Sequence, residues 1–396
     1  HIFREYDIRG VAARDLTDEV VGGIGRAYGS VLREAGLERP RVVVARDCRT
    51  SSPRLHEALV AGLVSTGCQV IDVGIGPTPL MYFASHHLGT DGGMMITGSH
   101  NPGDENGVKI VRGKASFFGP DIVALRERIR QASYVTGEGG VETTSVDDAY
   151  VAALTGGVTI KPGVKVVLDA GHGSGGPLGL RALRAAGVEV EPLYCTMDGH
   201  FPAHHPDPTQ PENLADLIAK VRETGAQLGL AFDGDADRLG AVDERGNILW
   251  GDRLLILFAR AVLAERPGAA ILSEVKCSQT TFDDIARHGG RPVLCPTGHS
   301  LVKTRMKEEN ALLAGEMSGH LFFADRWYGF DDALYAALRL CELVAAAGQR
   351  PGELLADVPV TSVTPELRVA CPDAVKFRVV AGVKAHFQRT HEVITV

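Results

Sequence analysis

One local pattern occurs three times in this chain and limits what it can fold into. An apolar strand leads into a polar loop, an amphipathic helix, a glycine and a second apolar strand, which is the signature of a βα unit. The first copy runs from Arg41-Val-Val-Val-Ala45 through a helix over 53–65 and Gly67 to Val70-Ile-Asp-Val73. The second runs from Val164-Lys-Val-Val-Leu168 through 177–186 and Gly187 to Val188-Glu-Val190. The third runs from Ala269-Ala-Ile-Leu272 through 280–287 and Gly289-Gly290 to Pro292-Val-Leu294. The copies begin at residues 41, 164 and 269, which is the spacing of whole domains and not of solenoid repeats with periods of roughly 20–50 residues.

The chain of 396 residues is therefore expected to be α/β, with three similar domains in tandem built on mixed sheets. Glycine, threonine and acidic residues interrupt the apolar periodicity near 135–145 and 243–247, giving expected domains at 1–140, 141–243 and 244–360. Beyond Pro359 the pattern changes to Leu367-Arg-Val-Ala370 and Val393-Ile-Thr-Val396. Residues 361–396 read as the start of a smaller α+β fourth domain that is incomplete, because a terminal apolar strand without a partner leaves an open edge.

Composition excludes several classes. A formal charge of −8 offers no electrostatic footprint for nucleic acid. Seven scattered cysteines without CxxC spacing indicate neither a disulfide framework nor a zinc site, and they fit a reducing cytoplasm. No apolar run reaches the roughly 18 residues of a membrane span, and no signal-peptide pattern is present.

Asp233-Gly-Asp-Ala-Asp-Arg238 follows the apolar run Leu228-Gly-Leu-Ala-Phe232. Three carboxylates at alternate positions can converge on one hard cation, since otherwise they repel. A calcium EF-hand would use Glu244 at loop position 12, but Arg238 stands where its glycine belongs and a strand precedes the loop, so magnesium shared with a phosphate is the better expectation. Thr97-Gly-Ser-His-Asn-Pro102 follows Gly93-Met-Met-Ile96 and presents one serine hydroxyl in an irregular turn. Neighbouring Ser99 and His100 do not make a hydrolase triad, and the nucleophile elbow is absent. A serine without a base can still act if it already carries a phosphoryl group. Gly315-Glu-Met-Ser-Gly-His320 offers donors and acceptors suited to sugar hydroxyls, although alone it is as well read as a loop. Gly171-His-Gly-Ser-Gly-Gly176 has the form and context of a dinucleotide fingerprint, with an ordinary βα turn as its alternative. His200, His204 and His205 suggest metal, but Pro202 and Pro206 rule out the regular helix that would align them.

Taken in order with Phe3-Arg-Glu-Tyr-Asp-Ile-Arg-Gly10, the serine, acidic and Gly315–His320 motifs resemble the α-D-phosphohexomutase superfamily, and most closely its bacterial phosphomannomutase/phosphoglucomutase branch. The resemblance spans essentially the whole chain. It also draws in Asp169-Ala-Gly-His-Gly173 and His200-Phe-Pro-Ala-His-His-Pro-Asp-Pro208 as family features, which demotes the dinucleotide and histidine-metal readings. It implies four α/β domains around a cleft, with one loop from each facing the substrate. Ser99 would carry the phosphoryl group and, with Asp233, Asp235 and Asp237, hold magnesium. Arg9, His100, Lys109, Arg238 and His299 would join Ser99 in catalysis, and Tyr6, Lys276, Glu316, Ser318 and His320 would bind the substrate. The implied reaction interconverts hexose 1-phosphate and hexose 6-phosphate, of mannose or glucose, through phosphoserine and a 1,6-bisphosphate, with glucose 1,6-bisphosphate as activator. The family's fourth domain carries an Arg/Ser/Asn/Thr loop for the second phosphate, and none occurs between Leu367 and Val396. Two other functions stand beside this one: a sugar-phosphate binder without turnover, and an NAD-dependent oxidoreductase using Gly171, Gly173 and Gly176. The sequence does not choose between a monomer and a dimer.

Overall fold

The computed structural model describes residues 1–361, 369–372 and 374–394. Two compact units divide it, His1–Ala356 and Asp357–Val396. The first unit holds three sheets. One contains β1 (Ile8–Val11), β2 (Arg41–Arg46), β3 (Gln69–Ile75), β4 (Gly92–Ile96), β5 (Glu105–Arg112), the short β6 (Ala115–Ser116) and β7 (Gly140–Thr143), in the order β1-β5-β4-β2-β3-β7 with β6 on β5. The second contains β8 (Lys165–Asp169), β9 (Glu189–Leu193), β10 (Leu228–Phe232), β11 (Leu239–Asp243) and β12 (Ile248–Leu249), ordered β12-β11-β10-β8-β9. The third contains β13 (Ala270–Glu274), β14 (Arg291–Cys295), β15 (Leu313–Gly315) and β16 (Leu321–Phe323), ordered β14-β13-β15-β16.

The repeated sequence pattern becomes the pairs β2/β3, β8/β9 and β13/β14, each parallel. Their crossover helices are Ser52–Val64, Gly176–Ala185 and Gln279–Arg287, within a residue of the expected starts. In all three copies the glycine between helix and second strand has a positive φ, 89°, 83° and 78°, which a side chain would make costly. A third strand then adds in parallel beside the first, and a fourth adds antiparallel beside the third. The result is one four-strand arrangement made three times: β3-β2-β4-β5, β9-β8-β10-β11 and β14-β13-β15-β16. The mixed sheets expected from the sequence are thus present. The central strands β4, β10 and β13 are buried at every residue, so their sequences read as apolar or small runs without alternation, broken only by Glu274 at the end of β13.

An apolar core runs continuously through all three sheets, including Val43, Leu168, Phe232, Leu313 and Tyr335. At its centre lies the helix Ala333–Ala347, capped by Asp332, whose carboxylate accepts from the Tyr335 amide at 2.9 Å and from the Tyr150 hydroxyl at 2.8 Å. Trp327 stacks on Tyr335 with ring centroids 4.5 Å apart.

The second unit contains the helix Lys376–Phe387, which has no buried residue. Of the expected strands, Leu367, Arg368, Thr395 and Val396 lie outside the described residues, and Val369, Ala370, Val393 and Ile394 are in no strand. The described residues of this unit therefore contain one exposed helix and no sheet; a strand forms only where a partner takes up its hydrogen bonds. Among the described residues no helix is long and apolar enough to cross a membrane.

Burial separates the two units energetically. Leu334→Ala, at a site 1% exposed, should cost about 2–5 kcal/mol, whereas Val383→Ala, at a site 51% exposed, should change stability by about 0.5 kcal/mol or less. Urea midpoints of the two variants measure this directly.

Candidate active site

The three motif loops occupy the same topological place. Residues 97–104 join β4 to β5, residues 233–238 join β10 to β11, and residues 316–320 join β15 to β16. Each lies beyond the C-terminal end of the third parallel strand, where the chain reverses, and such carboxyl ends are where α/β sheets bind ligands.

The serine loop is tightly held. Ser99 is 2% exposed with φ 49°, a left-handed conformation that is uncommon for a non-glycine residue. Its hydroxyl donates to Asp233 Oδ2 at 2.8 Å and lies 3.0 Å from His100 Nδ1. Its amide donates to Thr97 Oγ1 at 2.8 Å. Beneath it is Arg49, which is 1% exposed and donates to the carbonyls of Ser99, Asn101, Pro102 and Glu105 at 2.6–3.1 Å. Asp47 lies 3.3 Å from Arg49 Nε and accepts from the Gly98 amide. The sequence reading did not single out this pair; its signal was Asp47-Cys-Arg49 directly after a buried strand.

The acidic loop brings Asp233, Asp235 and Asp237 together with zero exposure, with one carboxylate oxygen of each within 4.8 Å of the others. Lys109 Nζ donates to Asp235 Oδ2 at 2.6 Å and also to Asp237 Oδ2. Burial and the two neighbouring carboxylates push Asp233 well above the usual range. Burial opposes ionisation at Asp237 as well, but Lys109 and His320 hold its carboxyl well below that range. Asp235 Oδ1 is buried without a hydrogen-bond partner, and Asp237 Oδ1 has only His320 Nε2 near it, at 3.3 Å. Such under-satisfied anionic oxygens beside a third carboxylate fit a hard divalent cation that takes oxygen ligands.

The glycine-rich turn Gly171–Gly176 packs against this loop. Ser174 donates to the Gly234 carbonyl from its amide at 2.9 Å and its hydroxyl at 3.1 Å, and a Cβ on Gly173 would meet that same oxygen at 2.8 Å. A Cβ on Gly234 would in turn meet the Ser99 carbonyl at 2.4 Å. These glycines serve close backbone approach, so the ordinary-turn reading prevails over the dinucleotide fingerprint. The histidines do not converge on a metal: His204 pairs with Asp169 at 3.0 Å, while His200 is exposed.

The third loop is internally bonded. Glu316 accepts from the Gly298 amide at 2.6 Å, from His320 Nδ1 at 2.6 Å and from the Ser318 hydroxyl at 3.3 Å. Against the effect of burial, Asp237 and Glu316 lift His320 to about 9. His320 Nε2 lies 3.3 Å from both Asp237 Oδ1 and Arg238 Nε, which joins this loop to the acidic one. Tyr6 covers Gly298 and donates to the Thr297 carbonyl at 2.9 Å. Arg9 pairs with Asp7 at 2.6 Å and donates to Asn101 Oδ1 in the serine loop. His299 is buried with both ring nitrogens unpartnered, and burial together with Lys303 and Lys109 pushes its pKa well below the ordinary value. Lys276 stands apart: its side chain is exposed, and only its amide is tied in, to Glu274 Oε2 at 2.9 Å. Buried Glu274 also accepts from Thr297 Oγ1 and the Met317 amide, a supporting role the sequence did not reveal.

Comparison with known proteins agrees with this arrangement. Family models described as phosphoglucomutase/phosphomannomutase alpha/beta/alpha domains I, II and III match residues 1–135, 148–246 and 250–361. The chain is 47% identical to the phosphomannomutase/phosphoglucomutase of Pseudomonas putida, over 96% of this chain and 81% of that protein. It is 42% identical to the phosphoglucomutase of Neisseria gonorrhoeae, over 100% of this chain and 86% of that protein. A crystal structure of a phosphoglucomutase/phosphomannomutase family protein from Burkholderia thailandensis superposes with a TM-score of 0.92 at 45% identity, covering 100% of this chain and 86% of that one. Three domain matches and relatives of this identity place the chain in the phosphoglucomutase/phosphomannomutase family.

Proposed function

We infer that the chain is a phosphohexomutase that interconverts hexose 1-phosphates and hexose 6-phosphates of mannose or glucose. The observation that supports this is the 2.8 Å bond from the hydroxyl of Ser99, the proposed phosphoryl carrier, to Asp233 in the cluster of three buried carboxylates. Magnesium is the metal proposed for Asp233, Asp235 and Asp237 together with phosphorylated Ser99, where it would offset charge on the transferring group.

In the proposed cycle the bond between Ser99 Oγ and phosphorus breaks as a hexose hydroxyl oxygen attacks, giving a 1,6-bisphosphate and a Ser99 hydroxyl, whose proton balances the one the hexose hydroxyl gives up. The hydroxyl proton needs an acceptor. His299, neutral with both nitrogens free, suits that role better than Lys109, whose pKa is raised by Asp235 and Asp237 despite burial and which stays charged. The bisphosphate then turns and returns its other phosphoryl group to Ser99. Glucose 1,6-bisphosphate would recharge a free serine in the same way. Arg9, His100 and Arg238 are proposed to steady the phosphoryl oxygens, and Tyr6, Lys276, Glu316, Ser318 and His320 to hold the sugar phosphate. Enclosure of Ser99 keeps water from hydrolysing the phosphoserine.

The domain limits proposed from the sequence, 140, 243 and 360, gain detail from the sheets. Because β7 pairs with β3 and β12 with β11, the first two limits are better placed after Thr143 and Leu249. All seven cysteines are free thiols, which supports the reducing cytoplasm as the proposed location.

Glucose 1-phosphate or mannose 1-phosphate, with magnesium and a trace of glucose 1,6-bisphosphate, should be converted to the 6-phosphate in phosphorus NMR spectra. Ser99→Ala should abolish that conversion; an unchanged rate in the variant sinks the proposal. Chelation with EDTA should stop turnover and added magnesium restore it, whereas turnover in excess EDTA would remove the metal from the scheme. Arg49→Lys retains a positive charge but loses the planar fork that serves four carbonyls, so kcat/KM should fall about 10²-fold. Steady-state kinetics with both sugars, beside a melting curve to confirm folding, provide the check.

A further inference from the structure

A cavity of about 410 Å³, including its solvent-open mouth, lies outside the three motif loops. It is bounded by the helix Thr78–His87, the turn between β5 and β6, the helix His299–Glu309 and the loop 328–330. One wall is aromatic. Tyr328 and Phe330 lie parallel with centroids 5.8 Å apart, and His86 tilts against both at 4.8 and 5.7 Å. Tyr328 is 45% exposed, unusual for a large ring in an otherwise closed aromatic cluster.

The only charged side chains in the lining are cationic. Lys114, Lys303 and Lys307 contribute, and no aspartate or glutamate does. Lys303 is neutralised by Asp331 at 2.8 Å, but among the described residues neither Lys114 nor Lys307 has an ion pair. Lys307 Nζ donates to the backbone carbonyl of Lys114 at 2.7 Å, which ties the Lys307 side chain to the turn that carries Lys114. Burial and the nearby Lys303 lower the Lys307 pKa, the mark of a cation lacking a counter-charge. Ser85, 1% exposed, also lines the cavity, and its hydroxyl has no hydrogen-bond partner.

We propose that this cavity is a second ligand site, separate from the serine cleft, for a small aromatic phosphate of the size of a nucleoside monophosphate. The flat ring lies against Tyr328 and Phe330, and the phosphate sits between Lys114 and Lys307. An aromatic wall beside two unpaired ammonium groups recognises both parts at once, and neither inorganic phosphate nor an uncharged ring satisfies both. The site also adjoins the candidate active site: Lys303 donates to Tyr82 in the cavity wall at 3.1 Å and to Asp331, which lies 3.8 Å from His299 Nδ1.

Trp327 stands edge-on to Tyr328 at 5.0 Å, and the chain has one other tryptophan, Trp250. In a Trp250→Phe chain, titration with AMP and, separately, phenyl phosphate should give a saturable change in Trp327 emission that excess glucose 6-phosphate does not reverse. Saturation by AMP alone assigns a nucleotide site, and saturation by phenyl phosphate assigns a general aryl-phosphate site. The double variant Lys114→Ala/Lys307→Ala should weaken binding about tenfold or more. Tyr328→Ala, at an exposed position, should weaken it independently. The proposal is overturned by any of four results: no saturable change with either probe, an equal change with inorganic phosphate, displacement by glucose 6-phosphate, or unaltered affinity in both variants.

Discussion

Three carboxylates with no exposure to water, spaced over Asp233 to Asp237, form the constraint on which the rest of the structure depends. Like charges this close and this dry cannot all stay ionised without nearby cations. Lys109 supplies one, bonding Asp235 and Asp237 from β5, the strand that leaves the serine loop. The same stretch of chain therefore delivers both the Ser99 hydroxyl and the counter-charge to the acidic loop. Removing one partner from such a buried arrangement typically costs about 3–5 kcal/mol, so the electrostatics that build the site also bind the first sheet to the second.

Topology explains why the loops meet their supports. In each sheet the third strand lies directly beside the first strand of the repeat, in parallel, so the loops leaving their carboxyl ends are neighbours. The loop after β2 supplies Asp47 and Arg49 to the serine loop. The turn after β8 supplies Ser174 to the acidic loop. The end of β13 supplies Glu274, which holds the Met317 amide in the third loop. One arrangement, made three times, yields three different chemistries, because the supporting side chains differ while the strand order does not.

Much of this was legible from residues alone. The three βα units were readable because strand and helix periods differ and because a glycine at positive φ punctuates each copy. The aspartates stood out because three like charges this close call for a neutralising partner, and Ser99 because its motif stands in order with others that resemble a known family. Arg49, Glu274 and Asp331 did not stand out. A single charged residue in a sequence reads as solvated, and burial of a guanidinium beneath four carbonyls is visible only once residues about fifty apart are side by side. Gly171–Gly176 shows the converse: its pattern matched a nucleotide fingerprint, and packing against Gly234 gave it another purpose.

By itself the sequence determined the number of sheets and the strand and helix of each repeat, since these rest on local periodicity, and it singled out the serine, acidic and glycine-rich motifs by their order and side-chain chemistry. Only the tertiary structure decided which side chains neutralise one another, which imidazole of the site is buried without hydrogen-bond partners, and that a cavity lined by aromatic rings and lysines opens near His299. Those properties depend on distance through space and on exclusion of water. Both arise when strands far apart in the chain become neighbours in a sheet, and no window of sequence contains them.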